Sequence, residues 1–212
     1  MNLTFSEREI RDLVVAWLAL GVAFTLLLER DIVAALDLGG QLTGLNPTAV
    51  GEALLVSLLT VGVGFLLHEL AHKVAAVRFG QAAAFRADYR MLGFAVVGAL
   101  VGFLFAAPGA VVHRGRITPR ENGLIALAGP VTNLVLAAVF LVPFLAALGA
   151  GTGGFIWEIA YRGLQINLLL AGFNMLPFGP LDGRKIRAWS TAVWAGVAIP
   201  SLVLAVGALF VL

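Results

Sequence analysis

Cysteine is absent from the chain. That removes any disulfide framework and any thiolate metal site, so a bound metal would have to be held by histidine and carboxylate. Histidine is scarce as well, with three in all, which confines such a site to a few positions. Charged residues make up 12% of the chain, about half the share found in soluble domains and too few to cover a water-facing surface. The net charge of +2 and isoelectric point near 9.5 do not point to nucleic acid, because the basic residues lie between apolar segments rather than on one stripe. No linker or internal repeat divides the chain, so a single membrane-embedded domain over residues 1–212 is expected. What is abundant is apolar: 60% of residues and a mean hydropathy of +0.98, the composition of a membrane protein.

Six apolar stretches stand out, about Leu13 to Leu28, Ala53 to Phe79, Leu92 to Val112, Gly123 to Leu148, Phe155 to Phe178 and Trp189 to Leu212. Most are long enough to span, since a helix needs about 20 residues to cross a hydrocarbon core of roughly 30 Å. The third, LGFAVVGALVGFLFAAPGAVV, is Gly-rich and broken by Pro108 and Gly109. Its course can be read from positive charge, which accumulates on cytoplasmic loops. If all six stretches cross with the N-terminus inside, seven Lys and Arg lie inside and seven outside. If the third enters and returns, Arg114, Arg116, Arg120, Arg184, Lys185 and Arg187 move inside, and the count becomes twelve against two, Arg30 and Arg162. The expected fold is an all-α polytopic membrane protein of about five to six transmembrane helices, N-terminus cytoplasmic, with a re-entrant element after the second. Glu7, Arg8, Glu9 and Arg11 precede the first stretch without a signal-peptide cleavage pattern and read as the start of a retained helix.

Within the second stretch, GVGFLLHELAHKVAAVRFG places His68 and His72 four apart on one helical face, where both imidazoles can reach one ion. Glu69 completes H-E-x-x-H, in which the histidines ligate Zn²⁺ and the glutamate takes a proton from the water that the metal acidifies. Three ionisable groups in so apolar a run are costly and mark function. A catalytic zinc takes three protein ligands. His113, between apolar residues and Arg114, reads as a solvated loop residue. Asp182, in FNMLPFGPLDGRKI, is the better third ligand: it is the only carboxylate after Glu158, and it follows Pro177, Gly179 and Pro180, which unwind the chain. Asp-Gly is also a common turn pair. Topology favours the ligand, because a re-entrant third stretch brings the C-terminal ends of the second and fifth stretches to the same side.

With these motifs the chain resembles the site-2 protease family of intramembrane zinc metalloproteases, peptidase family M50, in its compact form. HELAH, His68 to His72, corresponds to the family's zinc-binding helix. AGPVTN, Ala128 to Asn133, resembles the Gly-Pro-Asn motif of its central helix, and NMLPFGPLDG, Asn174 to Gly183, its Asn-Pro-Asp-Gly segment. Together they cover about 51–185, the expected catalytic core. The resemblance implies a zinc-dependent endopeptidase of the cell membrane that cleaves transmembrane protein substrates within the lipid bilayer; with the N-terminus inside, the second stretch runs inward, so the site is expected toward the cytoplasmic side. It also implies that Asn133 and Asn174 lie near the scissile bond, positioning substrate or stabilising oxyanion charge; an asparagine on a membrane helix can equally bond a neighbouring helix.

In that family short strands precede the central helix, and FAAPGAVV, Phe105 to Val112, would occupy their place. Such an edge could bind an unwound substrate by strand addition, which proline at Ala110 or Val111 would impair. The apolar stretch from about Leu92 to Phe105 is extra, and a half-helix, an interfacial helix and a gate all fit it. No place is expected for the PDZ or CBS domains of larger members. Two other readings stand beside protease: a metal transporter or sensor, which would need further ligands across the bilayer, and a non-catalytic scaffold, which would have no need of Glu69. Oligomeric state is not readable.

Overall fold

The structure, a computed structural model, describes residues 3–29, 32–34, 46–103 and 108–210. Arg30 of the charge count, Phe105, Ala106 and Ala107 of the FAAPGAVV stretch, and Leu212 lie outside the described residues. Helix α1 (Glu7–Leu28) begins at Ser6, whose side chain accepts the Glu9 N–H and satisfies an orphan donor of the first turn. One of its faces buries Ala16, Leu20 and Ala23, while Val14, Leu18 and Val22 stay exposed. An apolar face turned outward is what a lipid-facing helix presents.

Helix α2 (Pro47–Arg78) is 32 residues long. Asn46 caps it by accepting the Thr48 N–H, and Pro47 sits where a missing N–H does no harm. A π-helical turn widens it over Leu58–Gly62. Trp17 of α1 donates its indole N–H to the Leu58 carbonyl at 3.0 Å, and a Cβ on Gly62 would overlap that indole ring. The glycine and the wide turn therefore seat Trp17 about two turns before His68.

The third apolar stretch is not one element. Strand β1 (Ala82–Ala87) leads to helix α3 (Tyr89–Leu100), and the chain returns as strand β2 (Gly109–Arg114). The strands pair antiparallel from Ala82 with Arg114 to Ala87 with Gly109. Twelve residues of α3 span roughly 18 Å, short of a membrane crossing, and Ala95 and Ala99 pack beside Ala23 of α1. A half-helix followed by a strand is thus the course of the stretch that sequence left open. β1, in the Ala-rich run AAAFRA, had no signal of its own.

Helix α4 (Pro119–Ala150) opens on a reciprocal cap, with Thr118 and Glu121 each bonding the other's backbone N–H, and ends at Gly151 in the left-handed conformation, φ 63°. Helix α5 (Phe155–Asn174) stops earlier than its apolar run, which the irregular segment Met175 to Leu181 continues. Asp182 then starts a short helix, α6 (Asp182–Trp189), and Ser190, extended at φ −152°, separates it from α7 (Thr191–Phe210). α1, α2, α4 and α7 are long and apolar enough to cross a membrane by length and composition. The remaining long helix, α5, has 20 residues and carries Glu158 and Arg162 near its start. Among the described residues the fold is all-α apart from the hairpin of β1 and β2.

His72, late in α2, hydrogen-bonds the Ile125 carbonyl near the start of α4, and Gln81 bonds the Arg116 carbonyl. The chain between α2 and α4 therefore returns to the end from which it left.

Filling the space opposite Trp17 tests this packing. Gly62→Val is expected to lower stability by about 1–3 kcal/mol, the usual size of an overpacking penalty, read as a lower thermal midpoint in detergent than that of Gly51→Val, where a Cβ meets nothing within 4 Å.

Candidate metal centre

His68 and His72, one turn apart on α2, point their Nε2 atoms at each other at 3.0 Å. Asp182 completes a triangle, its Oδ2 lying 3.3 Å from His68 Nε2 and 3.1 Å from His72 Nε2. All three residues are buried. Bonds of about 2.0–2.1 Å to a tetrahedral zinc imply ligand-to-ligand edges of roughly 3.3 Å, so the triangle already has nearly the dimensions of a zinc site. Asp182 Oδ1 lies 3.5 Å from Lys185 Nζ, which leaves Oδ2 as the oxygen that faces the histidines. Gly129 of α4 supplies the room: a Cβ there would sit 2.5 Å from each Nε2.

The protons on the two rings follow from main-chain carbonyls. His72 Nδ1 lies 2.7 Å from the Ile125 carbonyl oxygen, which can only accept, so Nδ1 carries the proton and Nε2 a lone pair. For His68 the reasoning runs through two asparagines. Asn167 Nδ2 donates to the Gly163 carbonyl at 2.8 Å, which turns its Oδ1 toward Asn133. Asn133 Nδ2 donates to that oxygen at 2.9 Å and to the Gly64 carbonyl at 3.2 Å. Asn133 Oδ1 is left to accept from His68 Nδ1 at 2.6 Å, which places a lone pair on His68 Nε2. Two imidazole lone pairs and a carboxylate oxygen thus converge, a donor set that fits a divalent cation.

Of the two readings of Asn133, the structure shows the bond to neighbouring helices. The residue is fully buried, lies outside the wall of the cavity beside the triangle, and bonds His68, Gly64 and Asn167 rather than facing a substrate. Asn174 does line that cavity, with one amide N–H returned to the Leu170 carbonyl at 2.9 Å. Asn167 escaped the sequence reading, since a lone asparagine in an apolar helix shows no spacing to any partner. Asn122 also reaches the cavity and belongs to no motif.

Glu69 lines the same cavity, and its Oε2 accepts the Val111 N–H of β2 at 2.9 Å. His113 is not a solvated loop residue: it sits on β2, half-buried, in the cavity wall. Burial, with the Lys185 ammonium adding to it, holds its imidazole below the ordinary value. Because Val111 N–H turns outward to Glu69, its neighbour Ala110 turns its own toward β1. Proline at either position would break a bond of the site or of the hairpin, so neither isolates strand addition.

Asp182 is held from behind. Gly183 lets α6 lie on the carbonyls of Met175 and Leu176, which a Cβ would overlap, and its φ is not positive. The Asp-Gly pair here answers a need for space rather than for a turn. Trp194 of α7 donates to the Met175 carbonyl at 2.8 Å, and Met175, Ile186, Ala126 and Ala198 form a buried cluster beneath.

No family model matches the chain, and no solved structure matches it. Among known proteins it is 40% identical over 199 residues to a protein of Methanocaldococcus jannaschii named as a candidate zinc metalloprotease, with 92% of each chain covered. A Bacillus subtilis protein named in the same terms is 38% identical over 149 residues, 60% of this chain and 65% of the relative. One of Mycobacterium tuberculosis, also so named, is 35% identical over 125 residues, 58% of this chain but only 28% of its own length.

Two substitutions test the centre through metal binding alone. Gly129→Ala is expected to weaken zinc at least tenfold in chelator competition, because the methyl occupies the gap between the rings. Asn167→Leu removes the anchor of the asparagine pair and is expected to weaken zinc about 10–100-fold, the range for partners of metal ligands. Unchanged affinity in Asn167→Leu would show that the pair does not set the His68 tautomer.

Proposed function

The chain belongs to a family of zinc metalloproteases, and from that premise we propose that it is an intramembrane protease of the site-2 type, peptidase family M50, which hydrolyses peptide bonds in or near transmembrane segments of other membrane proteins. The observation that carries this reading is the burial of two histidines, an aspartate and a glutamate around one cavity between membrane-length helices. Ionisable groups are costly in such surroundings unless they hold something or react.

Zinc bound by His68, His72 and Asp182 would supply Lewis acidity and lower the pKa of water toward 7. Glu69 is the general base: its carboxylate lines the cavity, fixed by the Val111 N–H, where it can accept a proton and return it to the leaving amine. Asn133 acts behind His68, holding the ring so that its lone pair faces the metal. Asn174 and Asn122, in the cavity wall, are placed to meet a substrate backbone. The substrate is a transmembrane helix locally unwound, since only extended backbone exposes a scissile carbonyl. It docks along the outer edge of β2, where the chain beside Glu69 presents main-chain groups.

On this reading the N-terminus and the site end face the cytoplasm, which the excess of positive charge on that side supports, and the membrane is that of the cell. A transporter would need further ligand groups along a path; among the described residues the one metal-ligand group is His68, His72 and Asp182.

Purified wild type is expected to bind about one zinc and to cleave a model transmembrane substrate. Glu69→Gln should retain zinc and lose about 10²–10⁴ in rate, the scale of general-base catalysis. Asp182→Ala should weaken both. Cleavage by Glu69→Gln at the wild-type rate would exclude the base and bring the transporter or scaffold readings forward.

A further inference from the structure

Lys73 and Glu9 are buried charges that the chemistry above leaves unused, each 1% exposed. Lys73 Nζ lies 2.7 Å from both Glu9 carboxylate oxygens, 2.6 Å from the Thr4 carbonyl and 3.6 Å over the Phe5 ring. Glu9 takes one more bond. Its Oε1 accepts the Phe85 N–H of β1 at 3.0 Å.

Phe85 is paired with Val111 across the hairpin. Both N–H groups leave the hairpin outward from one rung, as they do at a non-hydrogen-bonded antiparallel pair, and each ends on a glutamate: Phe85 on Glu9, Val111 on Glu69. Glu69 and Lys73 lie four residues apart on α2, on one face and about 5–6 Å apart. A closed circuit results, from Lys73 through Glu9, Phe85 and Val111 to Glu69 and back along the helix. Phe85 also meets Phe65 of α2 edge-on, with centroids 5.8 Å apart.

A buried Lys–Glu pair adds little stability over two packed apolar side chains. What an apolar pair cannot do is accept the Phe85 N–H. We propose that Glu9 is a positioning residue for Glu69: it fixes β1 against α2 and, through the Phe85–Val111 rung, sets where the Val111 N–H meets the Glu69 carboxylate. The segment Thr4 to Glu9 is then part of the working site although it touches neither the metal ligands nor the cavity. The effect on turnover rests on the proteolytic reading; the effect on the Val111 hydrogen bond does not.

Two charge-neutral double variants of the full chain separate these roles. Glu9→Gln with Lys73→Met keeps a side-chain oxygen for the Phe85 N–H, and Glu9→Leu with Lys73→Met does not. Hydrogen exchange at the Val111 amide is expected to be about tenfold faster in the leucine variant, the scale of one lost hydrogen bond. Its kcat on a transmembrane substrate should fall by a similar factor, with KM and zinc content as in the glutamine variant. Equal Val111 exchange in the two overturns the proposal whatever the activity, and so does a difference in exchange without one in kcat. If wild type does not cleave, the proteolytic reading fails and the exchange comparison still decides the clamp. Glu9→Ser with Lys73→Met, too short to reach Phe85, stands in should the leucine variant not fold.

Discussion

Between membrane-length helices little water is available, so each buried polar atom has to find its partner inside the protein. That constraint organises the site more than any single contact does. The His68 proton is fixed because Asn133 has an oxygen for it, and Asn133 is turned that way because Asn167 and the Gly64 carbonyl take its amide. Asn167 is turned in its own right by a main-chain carbonyl one turn back on α5. A lone pair at the metal position therefore traces to the Gly163 carbonyl, two side chains away. In water each amide could rotate at little cost; here a flip leaves two groups unpaired.

Such a chain needs three helices to come close, and small residues allow it. Asn167 reaches α2 over Gly64, where a Cβ would lie 2.8 Å from its Oδ1, and both histidines stand over Gly129. Glycine in a helix interior lowers its stability by roughly 0.5–1 kcal/mol relative to alanine. The approach it permits is worth more at these positions, since a methyl would displace a metal ligand or break the asparagine chain. The AGPVTN motif can be read the same way: Gly129 makes room and Asn133, one turn on, orients a ring.

Parts of this were legible in the sequence. HELAH was readable because helical spacing puts His68 and His72 on one face, and Asp182 because almost no other carboxylate was left to serve. The re-entrant course followed from charge, and its half-helix and strand form then followed from pairing that no local pattern announces: AAAFRA becomes a strand only by meeting Gly109 to Arg114. Asn133 was found by its motif with two roles open, since a sequence does not say toward which helix a side chain turns, and the bond to neighbouring helices is the one the structure shows. Lys73 entered only the count of positive charge and Glu9 only the start of the first helix, and their separation of 64 residues hid that they form one pair.

The hairpin itself has a physical reason to lie where it does. A helix uses its own carbonyls for nearly all of its N–H groups, so a bundle of spanning helices has no main-chain donor to offer a carboxylate at membrane depth. A strand has one at every second residue of each free edge. With β1 and β2 paired to each other next to α2, the chain places such an edge there, and the Val111 N–H can fix a glutamate that would otherwise be free to turn. An open edge in lipid would leave unpaired groups, and here Glu9 takes the Phe85 N–H on one side and Glu69 takes the Val111 N–H on the other. On the proposed proteolytic reading, the same property that lets β2 hold Glu69 would let it pair with an extended peptide, so that orientation of the base and presentation of the substrate would draw on one structural element.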